Sequence, residues 1–315
     1  MGLGTLGMTG GVGGSLTADI PLIWGNKIND YFRYNLSLAQ FFVDRSDELV
    51  DGGSDIYTPN IVALSTSSKV TNTQVNLSAP IQTRNTLTVS TWKEASFVIE
   101  DREMAQLKKS YYLQEKFAKS AAWEVAQDLE DAIAAQFTSF TLASNILGAG
   151  TVNVVDSSLL AAIAILETIG VFGIYGGDVA WIFHPNTFYR QIGSVDKMTL
   201  WQNSQENPRS KAPTRSLYSI PVIVSPAVPL GAGVAAESGS RLNLLAHKDA
   251  IHWARLSLPI EATSGYVGEE GVRIQQSYIQ EYLGELVSVD LCYGTAINRL
   301  DGAVKIRSHS VAAGL

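Results

Sequence analysis

Reactive side chains are scarce in this chain: its 315 residues include one cysteine and four histidines. The single Cys292 excludes an internal disulfide. The histidines are His184, His247, His252 and His309. His247 and His252 stand five apart, about 140° round a helix, and cannot share a metal on one face. Glu124, Asp128 and Asp131 do share a helix face, but Asp128-x-x-Asp131 lacks the histidine of the di-iron pattern, and a solvated face is the expectation. There is no G-x-S-x-G elbow, no phosphate loop closing on Gly-Lys-Ser/Thr, and no paired-cysteine zinc motif. Gly2, Gly4 and Gly7 spell G-x-G-x-x-G, yet no predicted strand precedes them and no helix opens on them, as dinucleotide binding requires. We therefore expect no enzyme, no catalytic, cofactor-binding or metal residue, and no cofactor.

Charge is also sparse, at 17% of residues against about 25% in ordinary soluble domains. Either much of the surface is covered, most simply by further copies of the chain, or it is polar without being charged. The net charge of −7 and the scattered Lys and Arg leave no footprint for tight nucleic-acid binding. No apolar run approaches the ~18 residues of a spanning helix. The N-terminus lacks the basic flank and apolar core of a signal peptide, so the sequons at Asn35 and Asn76 carry no meaning, and a reducing cytoplasm is the expected compartment.

What is present is a long helical signal. Residues 100–141 contain no Pro or Gly and are rich in good helix formers. Asp101 is the expected N-cap, with Glu103 in the first turn. Leu113, Phe117, Ala121, Val125, Leu129, Ile133 and Phe137 recur every four residues, a row that winds by about 40° per step and so meets more than one partner. At ~1.5 Å per residue the helix would span roughly 60 Å, more than the ~50 Å diameter of a compact globule of this length. That is the proportion of a building block.

Around it, residues 1–15 carry seven glycines, a flexible lead-in. Ile20-Pro21-Leu22-Ile23-Trp24 and the stretch 28–43 read as an aromatic arm. Residues 56–92, nearly uncharged and rich in Ser, Thr, Asn, Val and Gln, read as a long two-stranded excursion without an obvious internal partner. Residues 156–285 read as a separate α/β unit. It has a helix 159–169 capped by Asp156 or Ser157, strands at 179–183, 220–224 and 242–246, a short helix 186–192 and a loop 194–216. In the closing β segment Val287, Val289, Leu291 and Tyr293 face one way and Ser288, Asp290 and Cys292 the other. Gly294 interrupts it, and Asp301-Gly302 predicts a hairpin turn.

This order of parts resembles the major capsid protein of tailed double-stranded DNA bacteriophages, a fold shared with encapsulins and the herpesvirus capsid floor. The residues that carry the resemblance begin with Ile20-Pro21-Leu22-Ile23-Trp24, Gly53-Ser54-Asp55-Ile56-Tyr57-Thr58-Pro59 and Ile99-Glu100-Asp101. They continue with Ala126-Gln127-Asp128-Leu129-Glu130-Asp131, Ser219-Ile220-Pro221-Val222-Ile223-Val224-Ser225, His247-Lys248-Asp249-Ala250-Ile251 and Tyr293-Gly294-Thr295-Ala296-Ile297-Asn298-Arg299. The resemblance implies an α+β fold with an N-terminal arm at 1–50 and an extended β-hairpin loop at 51–97. It implies a peripheral domain at 98–155 and 286–315 containing the spine helix 100–141, and an inserted α/β axial domain at 156–285. It also implies a structural virion protein, assembled in host cytoplasm, whose hexamers and pentamers enclose double-stranded DNA without gripping it. Its partners would be further copies of itself, a portal, decoration proteins and, because only about fifty residues precede the loop, a separate scaffolding protein or else prior processing. No membrane is involved. Some members cross-link a loop Lys to a neighbour's Asn, for which Lys69 and Asn298 are the candidates here. An encapsulin-like compartment enclosing cargo enzymes is the alternative of the same fold, an enzyme with an insertion domain the alternative of another class.

Overall fold

The computed structural model describes residues 36–49, 53–61, 64, 66–75, 77, 82–106, 110–171, 173–192, 216–231, 239–259, 265–267 and 272–310. The chain divides into units Met1–Tyr34 and Asn35–Leu315. The expected aromatic arm up to residue 35 and nearly all of the loop 194–216 lie outside the described residues.

The second unit begins with a short helix α1 (Leu38–Phe41), strand β1 (Val43–Asp44) and a 3-10 turn, Ser46–Leu49. Strands β2 (Asp55–Ile61) and β3 (Gln82–Thr88) pair antiparallel, from Asp55 opposite Thr88 to Ile61 opposite Gln82. Strand β4 (Thr91–Glu100) leads directly into helix α2 (Asp101–Gln106), and helix α3 (Ser110–Ala135) continues into a 3-10 turn, Gln136–Ser139. The helical stretch is thus shorter than 100–141 at both ends. Glu100 is held in the ladder, opposite Gly284, and Phe140 is extended.

Next come β5 (Ile146–Gly148), helix α4 (Asp156–Ile169), β6 (Val179–Phe183), a π-helical turn at Thr187–Gln191, β7 (Ser216–Leu217), β8 (Ile220–Val224) and β9 (Ser240–His247). A 3-10 turn at Lys248–Ala250 joins β9 to β10 (Ile251–Leu256). The chain closes with β11 (Gly265–Val267), β12 (Arg273–Ile279), β13 (Gly284–Ile297) and β14 (Ala303–His309).

Fourteen-residue β13 is the axis of the first sheet. β12 and β10 lie end to end along one edge of it, and β4 runs along the other. Its alternation places Val287, Val289, Leu291 and Tyr293 in the core under α3, as the pattern predicted. The Tyr293 hydroxyl donates to the Asp128 carbonyl at 3.1 Å. On the opposite face Arg273 forks onto the buried Asp290, which also accepts from the Trp92 indole at 2.9 Å. Gly294 does not interrupt the strand. It is glycine because a Cβ there would stand 2.1 Å from the Thr88 carbonyl oxygen, where the foot of β3 crosses.

The second sheet has the order β5-β14-β9-β6-β8-β7. All five residues of β6 are buried, so an unbroken apolar run replaces alternation. Helix α4 covers it with Leu159, Ala162, Ile163 and Leu166. It closes on Gly170, whose left-handed φ of 83° lets its N–H reach the Leu166 and Glu167 carbonyls. Neither Asp156 nor Ser157 caps it: Val155 holds that position without a side-chain bond, and Asp156, in the first turn, accepts from the Tyr218 hydroxyl.

The expected hairpin at Asp301-Gly302 does not form. Both edges of β13 are already filled, and the N–H groups of Asn298 and Arg299 bond to the Ala250 carbonyl. The chain turns through Leu300–Gly302 and β14 pairs antiparallel with β9 in the other sheet. Strands therefore sort across the expected 286 boundary: β10 and β12 join β13, while β14 joins β6 and β9.

Along α3, Val125, Leu129, Ile133 and Phe137 are buried, whereas Phe117 is 54% exposed and only tilts against Phe97, with centroids 5.9 Å apart. The side chain of Leu113 is outside the described residues. Two steps back from Val125 the row has wound roughly 80° away from the core.

Candidate functional site

The feature that departs most from a self-contained globule is the β2–β3 hairpin. Between Ile56 and Thr83 the sequence has one charged residue, Lys69. Its foot is anchored: Ile56, Leu87 and Val89 form a buried cluster with Leu49 and Ala254. The Val89 N–H bonds to Ser54 O at 2.7 Å, and the Asn85 amide donates to Asn298 O at 2.5 Å. This corrects the expectation that the hairpin lacks an internal partner. Its far part has none among the described residues: Ile61 is 76% exposed and Leu77 90%, and Leu64, Val70 and Val75 are exposed too. Arg84 lies over the Tyr57 ring, 4.7 Å from its centroid. Single exposed apolar side chains are ordinary, but a run of them on one nearly uncharged excursion is the composition of a contact surface.

A polar node ties the foot to the body. Arg45, in the approach to the Ser46–Leu49 turn, forks onto Glu48 and donates to Thr58 Oγ1 of β2 at 3.0 Å. Its Nη1 also meets His252 Nδ1 of β10 at 3.3 Å. The turn is held on β10 by Arg45 N–H to Trp253 O at 2.9 Å and Arg255 N–H to Ser46 Oγ at 3.0 Å.

Where the chain emerges from its first thirty-five residues, α1 is gripped at both ends. The fully buried carboxylate of Glu130 on α3 accepts the N–H groups of Ser37 (2.8 Å), Leu38 (2.9 Å) and Ala39 (3.1 Å). The Trp253 indole donates to the carbonyls of Ala39 (3.0 Å) and Phe42 (3.3 Å). Burial pushes the Glu130 carboxyl above the usual range, and the three N–H groups pull it back. Sequence reasoning missed Glu130 as an anchor. The available signal was a carboxylate in a row of buried alanines four apart, Ala118, Ala122, Ala126 and Ala134, whose small side chains leave room for another element.

The residues weighed for chemistry are dispersed. His184 is buried at the end of β6, its Nδ1 accepting the Asn186 N–H at 3.1 Å, and desolvation holds its pKa down to about 4. His247 likewise accepts from the Asp249 N–H, at 3.1 Å. His252 belongs to the Arg45 node, and the His309 N–H closes onto Val152 O at 3.1 Å. Asp128 faces Lys93 at 3.8 Å, Asp131 accepts from Gln127 at 3.5 Å, and Glu124 is exposed. Among the described residues no group of His, Cys, Asp or Glu could hold a metal, and no helix is long and apolar enough to cross a membrane. Lys69 donates to the Val70 and Thr73 carbonyls of its own loop, while Asn298 lies at the hairpin foot.

No protein-family description and no curated protein sequence matches the chain. Solved structures do. A structure from Mycobacterium phage Che8 superposes with a TM-score of 0.71 at 15% identity, covering 91% of this chain and 96% of the other. The capsid asymmetric unit of cyanophage Pam1 gives 0.70 at 13% identity, covering 94% and 98%. The capsid of a native GTA particle gives 0.64 at 13%, covering 96% and 99%. The α+β fold is that of phage major capsid proteins, the class the sequence resembles.

Proposed function

We propose that this chain is a structural, non-catalytic subunit of a virion shell, building hexamers and pentamers that enclose double-stranded DNA. The observation that carries the reading is the hairpin, anchored at its foot and apolar beyond it, in a chain with the fold of phage capsid structures. A second copy is the occupant that would cover the exposed Ile61, Leu64, Val70, Val75 and Leu77. In this reading the β13 sheet with α3 forms the peripheral part, the β6 sheet with α4 the axial part, and 1–50 the arm. A separate scaffolding protein, a portal and decoration proteins are its proposed partners, and host cytoplasm its place of assembly.

The test is electron microscopy of the protein expressed with its neighbouring gene products, for the full chain and for a variant lacking residues 62–81. Closed shells with five-fold vertices from the full chain, and a folded but unassembled variant, are expected. Normal shells from the shortened variant would refute the role of the hairpin. A uniform monomer under every condition would refute the shell reading. Shells that enclose protein instead of DNA would move the assignment to a cargo compartment.

A further inference from the structure

We propose that the Arg45–His252 contact is an acid-sensitive fastening of the hairpin foot, holding β2 and β3 against the body while His252 is neutral and releasing them when it is protonated. Three elements meet at this contact: the Arg45 end of the Ser46–Leu49 turn, β2 through Thr58, and β10 through His252. The guanidinium can only donate, so at 3.3 Å it requires His252 Nδ1 to be the lone-pair nitrogen of a neutral ring. Protonation converts that acceptor into a donor and sets two cations face to face in a buried place. The least costly relief is for Arg45 to withdraw, and with it goes its bond to Thr58.

The surroundings give the sign. Across the ladders His252 faces Val43 of β1 and Ala296 of β13, which carry no charge. The charged groups that act on it are Arg45 and Glu48 from the turn and Asp249 from the Lys248–Ala250 turn. Burial, and then the Arg45 charge, depress its pKa, and together they outweigh the two carboxylates. A histidine whose pKa is depressed in the fastened state binds its proton more tightly in the released state, so acid favours release. The apolar part of the hairpin has no other described hold on the body, so its setting depends on this foot. The inference concerns the isolated subunit and stands or falls separately from shell formation.

The test is amide hydrogen exchange on the unassembled full chain between about pH 8 and pH 5, the range of imidazole titration, corrected for intrinsic exchange. Opening of the β2 and β3 amides should rise on acidification, by up to about tenfold per pH unit once pH falls below the released-state pKa and levelling off below the fastened-state one, while the β6 amides stay protected. His252→Gln, which offers Arg45 an acceptor at every pH, should abolish the rise. Arg45→Gln should flatten it as well, and serves if the first variant fails to fold. A wild-type hairpin whose exchange ignores pH would overturn the proposal. So would an unchanged slope in either variant, since the titrating group would then lie elsewhere.

Discussion

Removing the Glu130 carboxylate should detach the segment at residues 37–42 from the spine helix at a cost far above that of an ordinary surface glutamate. Three backbone N–H groups converge on this one side chain at 2.8 to 3.1 Å, and Leu38, at the centre, is fully buried. In Glu130→Ala they lose their acceptor, the Leu38 N–H in a buried place and those of Ser37 and Ala39 in partly buried ones. Each stranded donor costs about 1–3 kcal/mol, against which stands the relief of no longer burying a carboxylate, itself several kcal/mol. The net expectation is a loss of about 2–4 kcal/mol, the stranded donors outweighing that relief. Glu130→Gln keeps an acceptor oxygen and the shape, and should lose about half as much. Urea denaturation gives the global cost, and hydrogen exchange at Ser37, Leu38 and Ala39 locates it. A loss below about 1 kcal/mol in Glu130→Ala, with those three amides as protected as before, would refute the assignment of Glu130 as their holder.

Two further outcomes follow from burial. Phe137→Ala should cost about 3–5 kcal/mol, because the ring is wholly buried and packs edge-on to Phe42 at 6.5 Å. Phe117→Ala, at a position 54% exposed, should cost about 1 kcal/mol or less, and equal losses in the two denaturation curves would mean that the buried face of α3 is wrongly placed. His184, held at about 4 against an ordinary 6.5, is depressed in the fold, so its contribution is complete above pH 6.5 and is lost as pH falls towards 4. Stability measured across that window should be flatter in His184→Gln than in the wild type, by up to about 1.4 kcal/mol per pH unit. Identical slopes would exclude His184 as the source.

Periodicity carried most of what could be read in advance. The alternation from Val287 to Tyr293 and the apolar run 179–183 mark their strands because burial selects residues position by position. The same logic misplaced Phe117, since a sequence row does not say where along a winding helix the partner stops. Strand partners were harder to read. Asp301-Gly302 has hairpin chemistry, but the edges of β13 are occupied by β12, its neighbour in the chain, and by β4 and β10, both distant in sequence. The hairpin was recognisable from its lack of charge, whereas its anchorage was not. Arg45, Thr58, Asn85, His252 and Asn298 are unremarkable polar residues until folding sets them side by side.

The chain passes between the sheets along α3, then at Lys248–Ala250 and again at 298–302, and the last two passages touch. Asn298 and Arg299 bond to the Ala250 carbonyl, and Gly302 sits beside Ala250, where a Cβ would meet the Cβ atoms of Ala250 and Arg299 at 3.4 Å, an ordinary contact. Two seams stitched at one point behave as a rivet. Neither half can be cut out and expected to fold alone, because each would leave with a strand belonging to the other. A hinge between the two sheets at this point would have to break both bonds to the Ala250 carbonyl.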